Sequence, residues 1–147
     1  MDRTIIKKVS ARQVFSGRGY PAVEATIETC SGKKGTVQCV SGLSIGTHEV
    51  AFAYDGGTEW RGMGLRNAVR NINDIIAPAI IGMDAAKQFE VDHKILSLYG
   101  NETKLRLGGN SIAAVSAAVL KAAAEALEIP LYQHIGGTRA ITLPNAS

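Results

Sequence analysis

The sequence predicts an α+β fold: a three-stranded antiparallel β-meander followed by a bundle of about four helices. Three observations carry this expectation. Residues 5–40 are rich in β-branched side chains and broken by glycine. From residue 61 onward the apolar spacing turns helical. Strands come first and helices after, which places helices on one face of a single sheet.

The strands are read in order as Ile5–Phe15, Ala22–Cys30 and Thr36–Val40, separated by Gly17–Pro21 and Ser31–Gly35. In the second, Val23, Ala25 and Ile27 alternate with Glu24, Thr26 and Glu28, the period of a half-exposed strand. Ser31-Gly-Lys-Lys-Gly35 has hairpin length, with glycine where a positive φ is needed. In the first helix Leu65, Ala68, Val69, Ile72, Ile75 and Ile76 follow helical spacing, and Pro78 is expected to end it. Asp84 is expected to cap a second helix reaching about Tyr99, with Phe89, Val91, Ile95 and Leu98 as its apolar contacts and Gly100 as its stop. Asn110 is expected to cap a third, Ser111–Leu127, whose alanines let neighbouring backbones come close and should make it the most buried. A short fourth helix, Leu131–Ile135, follows Pro130.

At 147 residues the chain has the length of one domain, and it is too short for a (β/α)₈ barrel of about 250 residues. Sixteen basic against 13 acidic groups give a net charge of +3, scattered as Lys7-Lys8, Lys33-Lys34 and Arg66/Arg70. There is no stripe of cations interleaved with aromatics, so no nucleic-acid partner is expected. The longest uncharged run, Leu107–Leu120, falls short of a membrane span, and the N-terminus carries Arg3, Lys7 and Lys8 without an apolar leader. Cys30 and Cys39 fall about four strand residues out of register across the hairpin, roughly 13 Å, beyond disulfide reach. Two free thiols fit a reducing compartment. No membrane partner and a cytoplasmic location are expected.

His48, His93 and His134 lie far apart, and none has a second ligand at metal spacing. Gly62-Met63-Gly64 lacks the third glycine of a dinucleotide loop. The segment that stands out is Ser41-Gly42-Leu43-Ser44-Ile45-Gly46-Thr47-His48-Glu49, directly after the third strand. Its hydroxyl and carbonyl oxygens suit a hard cation such as Mg²⁺. Leu43 and Ile45 are bulky for a loop: they either help a closing lid expel water or anchor the loop.

Ala11-Arg12, Arg18-Gly19, Pro21 and Val23-Glu24, with Ser41-Gly42-x-Ser44-x-Gly46 followed by His48-Glu49, resemble the N-terminal signature and the serine-glycine loop of the enolase family. Asp55-Gly56, Trp60, Gly62-x-Gly64, Asn71-Ile72-Asn73, Ile76-Ala77-Pro78-Ala79, Leu107-Gly108-x-Asn110 and Pro130-Leu131-Tyr132-x-His134 continue in register. Ser16, Gly17, Tyr20, Ala22, Val40, Leu43 and Ile45 depart from the family pattern.

The resemblance implies a capping domain over residues 1–138 and, over 139–147, the start of a linker to a barrel absent from this chain. It implies a Mg²⁺-dependent lyase that interconverts 2-phosphoglycerate with phosphoenolpyruvate and water in glycolysis. A lysine base, a glutamate and metal carboxylates on the barrel do the chemistry, so no catalytic residue is expected in this segment. Ser41, Gly42, Leu43, Ser44, Ile45 and Gly46 would form the substrate lid, and Ser44 would coordinate the second Mg²⁺. Arg12 and Glu24 would join subunits of a homodimer, or stand as ordinary exposed strand charges. The alternatives are a non-catalytic interaction or dimerisation module derived from an enolase, and the capping domain of another enzyme of the superfamily.

Overall fold

The computed structural model describes residues 2–42, 46–98 and 107–143. Three strands, β1 (Ile6–Phe15), β2 (Pro21–Thr29) and β3 (Lys34–Val40), form one antiparallel sheet in that order. The register sets Ala11 opposite Ala25 and Ala25 opposite Val37. Gly19 and Gly32 take positive φ of 76° and 80° in the two hairpin turns. The expected alternation in β2 holds: Val23, Ala25 and Ile27 are fully buried, while Glu24, Thr26 and Glu28 are half-buried on the opposite face.

The first helix does not stop at the proline. α1 (Arg66–Arg70) runs into a π-helical stretch, Asn71–Ile76, and then α2 (Ala77–Ile80), with Pro78 in the first turn of α2. A widened turn ahead of the proline makes room for its ring, and a residue with no N–H leaves no donor unpaired there. Ile72, Ile76 and Ile80 therefore stay on one buried stripe.

Asp84 does not cap the second helix either. The backbone of residues 82–85 is already committed to the start of β1: Gly82 N–H donates to Ile6 O, Ala85 N–H to Thr4 O, and Ile6 N–H to Met83 O. Asp84 Oδ1 instead accepts from Ala86 N–H at 2.9 Å. Helix α3 starts later, at Gln88, and runs to Ser97; the expected end at Tyr99 and Gly100 lies outside the described residues. Val91 and Ile95 are buried as expected, but Phe89 is 81% exposed. Two residues apart on a helix, Phe89 and Val91 point to opposite sides.

The long helix α4 (Gly109–Leu127) is the centre of the fold. It is long and apolar enough to cross a membrane by length and composition, yet here it is a core helix, packed on β2, β3 and α3. Val115, Ala118, Val119 and Ala122 are fully buried. Its alanines let the sheet come very close: a Cβ built on Gly35 of β3 would lie 2.2 Å from Ala118 O and 2.3 Å from Ala122 N. The expected cap, Asn110, sits inside the first turn, and Gly108, at φ +87°, precedes the helix. The short α5 (Leu131–Gly136) follows Pro130.

The free side of β1 is closed along much of its length. Near its start the 82–85 backbone pairs with it, as above. Further along, the Asn73 side chain accepts from Ala11 N–H at 2.8 Å and donates to Ala11 O at 3.2 Å. Gln13 Oε1 accepts from Leu65 N–H at 2.7 Å.

Candidate functional site

The segment singled out by the sequence leaves the sheet at the end of β3. Ser41 is half-buried there and Gly42 exposed. Leu43, Ser44 and Ile45 lie outside the described residues. The chain returns through a tight turn: Glu49 N–H donates to Gly46 O, and Glu49 Oε2 accepts from Gly46 N–H, both at 3.1 Å. This reciprocal bond between residues three apart has the logic of a capping box. The Gly46-x-x-Glu49 spacing is the sequence signal that reveals it.

A strap without regular secondary structure, residues 50–55, follows and is tied down at Ala51 and Ala53. Gly109 N–H donates to Ala51 O at 2.9 Å, and Ala53 N–H donates to Asn110 Oδ1 at 3.0 Å. At Asp55 the strap reaches α1: the carboxylate accepts from Arg66 N–H at 2.9 Å and from Asn67 N–H at 2.7 Å. These are orphan donors of a helix N-terminus, and a carboxylate also complements the positive end of the helix dipole. None of these anchors is visible as a motif, because each joins residues from different parts of the chain.

The two ends of the loop come together. Ser41 and Gly42 share a depression of about 250 Å³ with Glu49, Val50, Phe52 and Tyr54. Its floor is mostly apolar, with the Phe52 and Tyr54 rings 5.8 Å apart. Behind it Cys39 is half-buried, and burial pushes its thiol pKa up, with the nearby Glu49 charge adding to the effect. Both cysteines are free; the register sets Cys39 opposite Val23, seven residues from Cys30, a wider offset than the four expected because the turn lies nearer Ser31.

The oxygens of Ser41–Gly46 are neutral, and neutral hydroxyls and carbonyls alone seldom strip water from Mg²⁺. Among the described residues no three His, Cys, Asp or Glu side chains gather to hold a metal ion. The donor set therefore suits an extra ligand to an ion held elsewhere and does not make a site by itself. His93 stacks against Phe89 on the outer side of α3, as a surface histidine.

Arg12 and Glu24 stand opposite each other on β1 and β2, with Glu24 on the side of the sheet away from Val23, Ala25 and Ile27. Arg12 Nε donates to Glu24 Oε1 at 2.7 Å, and Gln38 Nε2, from β3, donates to Glu24 Oε2 at 2.9 Å. The Glu24 side chain is 11% exposed and that of Arg12 74%. The Gln38 hydrogen bond, and then that of Arg12, hold the Glu24 carboxyl below its ordinary pKa, against a smaller opposing effect of burial. Within this chain the two residues are therefore each other's partners.

Residues 6–135 match the family described as the enolase N-terminal domain. The chain is similar to an enolase of Pyrococcus furiosus, 49% identical over 136 residues, 92% of this chain and 31% of that protein. It is 49% identical to an enolase of Thermococcus kodakarensis over 95% of this chain and 32% of that protein. An enolase of Thermococcus gammatolerans is 48% identical over the same shares. The chain thus spans about a third of the length of the curated relatives it matches.

Proposed function

The chain belongs to the enolase family through its N-terminal domain, and on that premise we propose that it is the lid of a hydro-lyase acting on 2-phosphoglycerate. Residues 1–138 form the capping domain and 139–147 begin the linker to a catalytic barrel. The barrel supplies the base, the acid and the metal carboxylates, and this chain supplies the cover. The observation that carries the reading is the clamped strap, with which the two flanks of the serine-glycine segment, Ser41–Gly42 and Gly46–Glu49, are held to the sheet and to α4.

In this reading the segment Ser41–Gly46 closes over bound 2-phosphoglycerate or phosphoenolpyruvate, and Leu43 and Ile45 help to exclude water. Ser44 adds a hydroxyl and a carbonyl oxygen to Mg²⁺ held by substrate and barrel. The ion's role is to stabilise negative charge that develops on the substrate carboxylate. Arg12 and Glu24, paired across β1 and β2, belong to the contact between two subunits of the complete protein. The protein works in the cytoplasm, in glycolysis.

The test joins this chain to the remaining two-thirds of the Pyrococcus furiosus relative and follows phosphoenolpyruvate formation with Mg²⁺. The fusion should turn over, and the 147-residue chain alone should fold cooperatively and form no product. In the fusion, Ser44→Ala should depress turnover and raise the Mg²⁺ requirement, and Ser41→Ala should do less. A folded but inactive fusion, or equal and negligible effects of the two substitutions, would favour a non-catalytic interaction module instead.

A further inference from the structure

We infer that Asn110 is the positioning residue of the loop: it fixes the register of the strap on α4 and so the place from which the loop's return end starts. The inference rests on reading the loop as a lid, and it names a residue 57 positions from the strap that no loop motif includes.

Asn110 is fully buried in the first turn of α4. A side chain of this type near a helix start ordinarily accepts from its own helix. Here its Oδ1 accepts from Ala53 N–H, while the adjacent Gly109 N–H donates to Ala51 O. Ala51 and Ala53 are thus both held on the start of α4, on either side of Phe52, whose carbonyl accepts from Tyr54 N–H in a tight turn. The contact leaves no spare room. A Cβ at Gly108 would lie 2.5 Å from Ala53 Cβ, and one at Gly109 would lie 2.8 Å from Val50 O.

From Ala51 the fixed register passes to Glu49, whose two bonds close the turn onto Gly46. Displacement of the strap on α4 therefore displaces Gly46, the last residue of the proposed lid. The other half of the Asn110 amide points to the same role. Its Nδ2 is buried and has no hydrogen-bond partner among the described residues. An unpaired buried donor is a cost that an apolar residue would avoid. The residue is held there for its oxygen.

Two measurements decide this. In the unsubstituted chain the Ala53 amide should exchange with solvent far more slowly than an exposed loop amide such as Thr47; equal rates would overturn the inference without any variant having to fold. In the fusion with the Pyrococcus furiosus remainder, Asn110→Ala should lower kcat about tenfold, less than the ~10²-fold that an ångström of misplacement can cost. It should raise the Mg²⁺ requirement and leave the KM for 2-phosphoglycerate nearly unchanged. Asn110→Asp keeps the accepting oxygen at a helix N-terminus, where negative charge is favoured, and should restore most of the loss. A role in stability alone would lower the melting temperature without moving the Mg²⁺ requirement, and that result would overturn the inference. So would an Asp variant as impaired as the Ala variant. An inactive unsubstituted fusion would defeat the lid reading, while Ala53 exchange would still judge the clamp.

Discussion

Gly35→Ala isolates the contact between the sheet and α4. Gly35 has no positive φ, so alanine meets no backbone objection there, and in a strand interior alanine is intrinsically better than glycine by roughly 0.5–1 kcal/mol. Propensity alone predicts stabilisation. Packing predicts the reverse, because the new methyl carbon would sit 2.2 Å from Ala118 O and 2.3 Å from Ala122 N. Both obstacles are helix backbone, so no side chain can rotate away, and β3 or α4 must move by about an ångström to reach ordinary contact at 3.4–4 Å. Overpacking of this sort costs about 1–3 kcal/mol, and rigid obstacles place the expected loss near ~3 kcal/mol. In a domain of this size that lowers Tm by about 6–12 °C. Urea unfolding followed by circular dichroism, with the slope unchanged, gives the free energy directly. Gly17→Ala, at a site with nothing within 4 Å, is the control and should stay within about ±0.5 kcal/mol. A Gly35→Ala protein as stable as that control would refute the close approach.

Two further outcomes follow from the charged and thiol groups. The lowered carboxyl pKa of Glu24 means that its contribution to stability is fully present above the unfolded value, near 4.5, and is lost as pH falls through the lower folded value. Glu24→Gln should therefore flatten the acid limb of urea stability measured below that pH, and an identical pH profile in the two proteins would contradict the Arg12–Glu24–Gln38 arrangement. Exposed Cys30 should be alkylated by iodoacetamide well before half-buried Cys39, whose thiolate is disfavoured by burial and by Glu49; peptide mass spectrometry that finds Cys39 modified first would refute the packing around it.

The sequence makes legible whatever repeats locally. Alternation in β2 announces its buried face, the isoleucine stripe announces the first helix, and alanines in α4 announce a close neighbour. Caps are where local reading fails, and for one physical reason. Asp84 and Asn110 have the right chemistry to cap the helices beside them, but distant backbone claims them or their surroundings first: β1 pairs with residues 82–85, and Ala53 takes the Asn110 oxygen. Conversely, the acid that does cap α1, Asp55, lies eleven residues upstream of Arg66. Pro78 misleads because a π-helical turn absorbs the strain that would end an ordinary helix. For the candidate site, the loop itself is plain from its glycines and serines, whereas its anchors exist only once the chain is folded.

Asn73 gives the sheet a terminus of an unusual chemical kind. A carboxamide carries the same donor and acceptor as a peptide group, so one side chain supplies Ala11 with what a fourth strand would otherwise supply. Together with the 82–85 backbone, it leaves little of the β1 margin able to recruit another polypeptide. Unpaired margins of this sort are templates for intermolecular strand addition and aggregation. Growth of this sheet by a strand added beside β1 is therefore discouraged from within, and of the two edge strands it leaves β3 as the margin open to such addition.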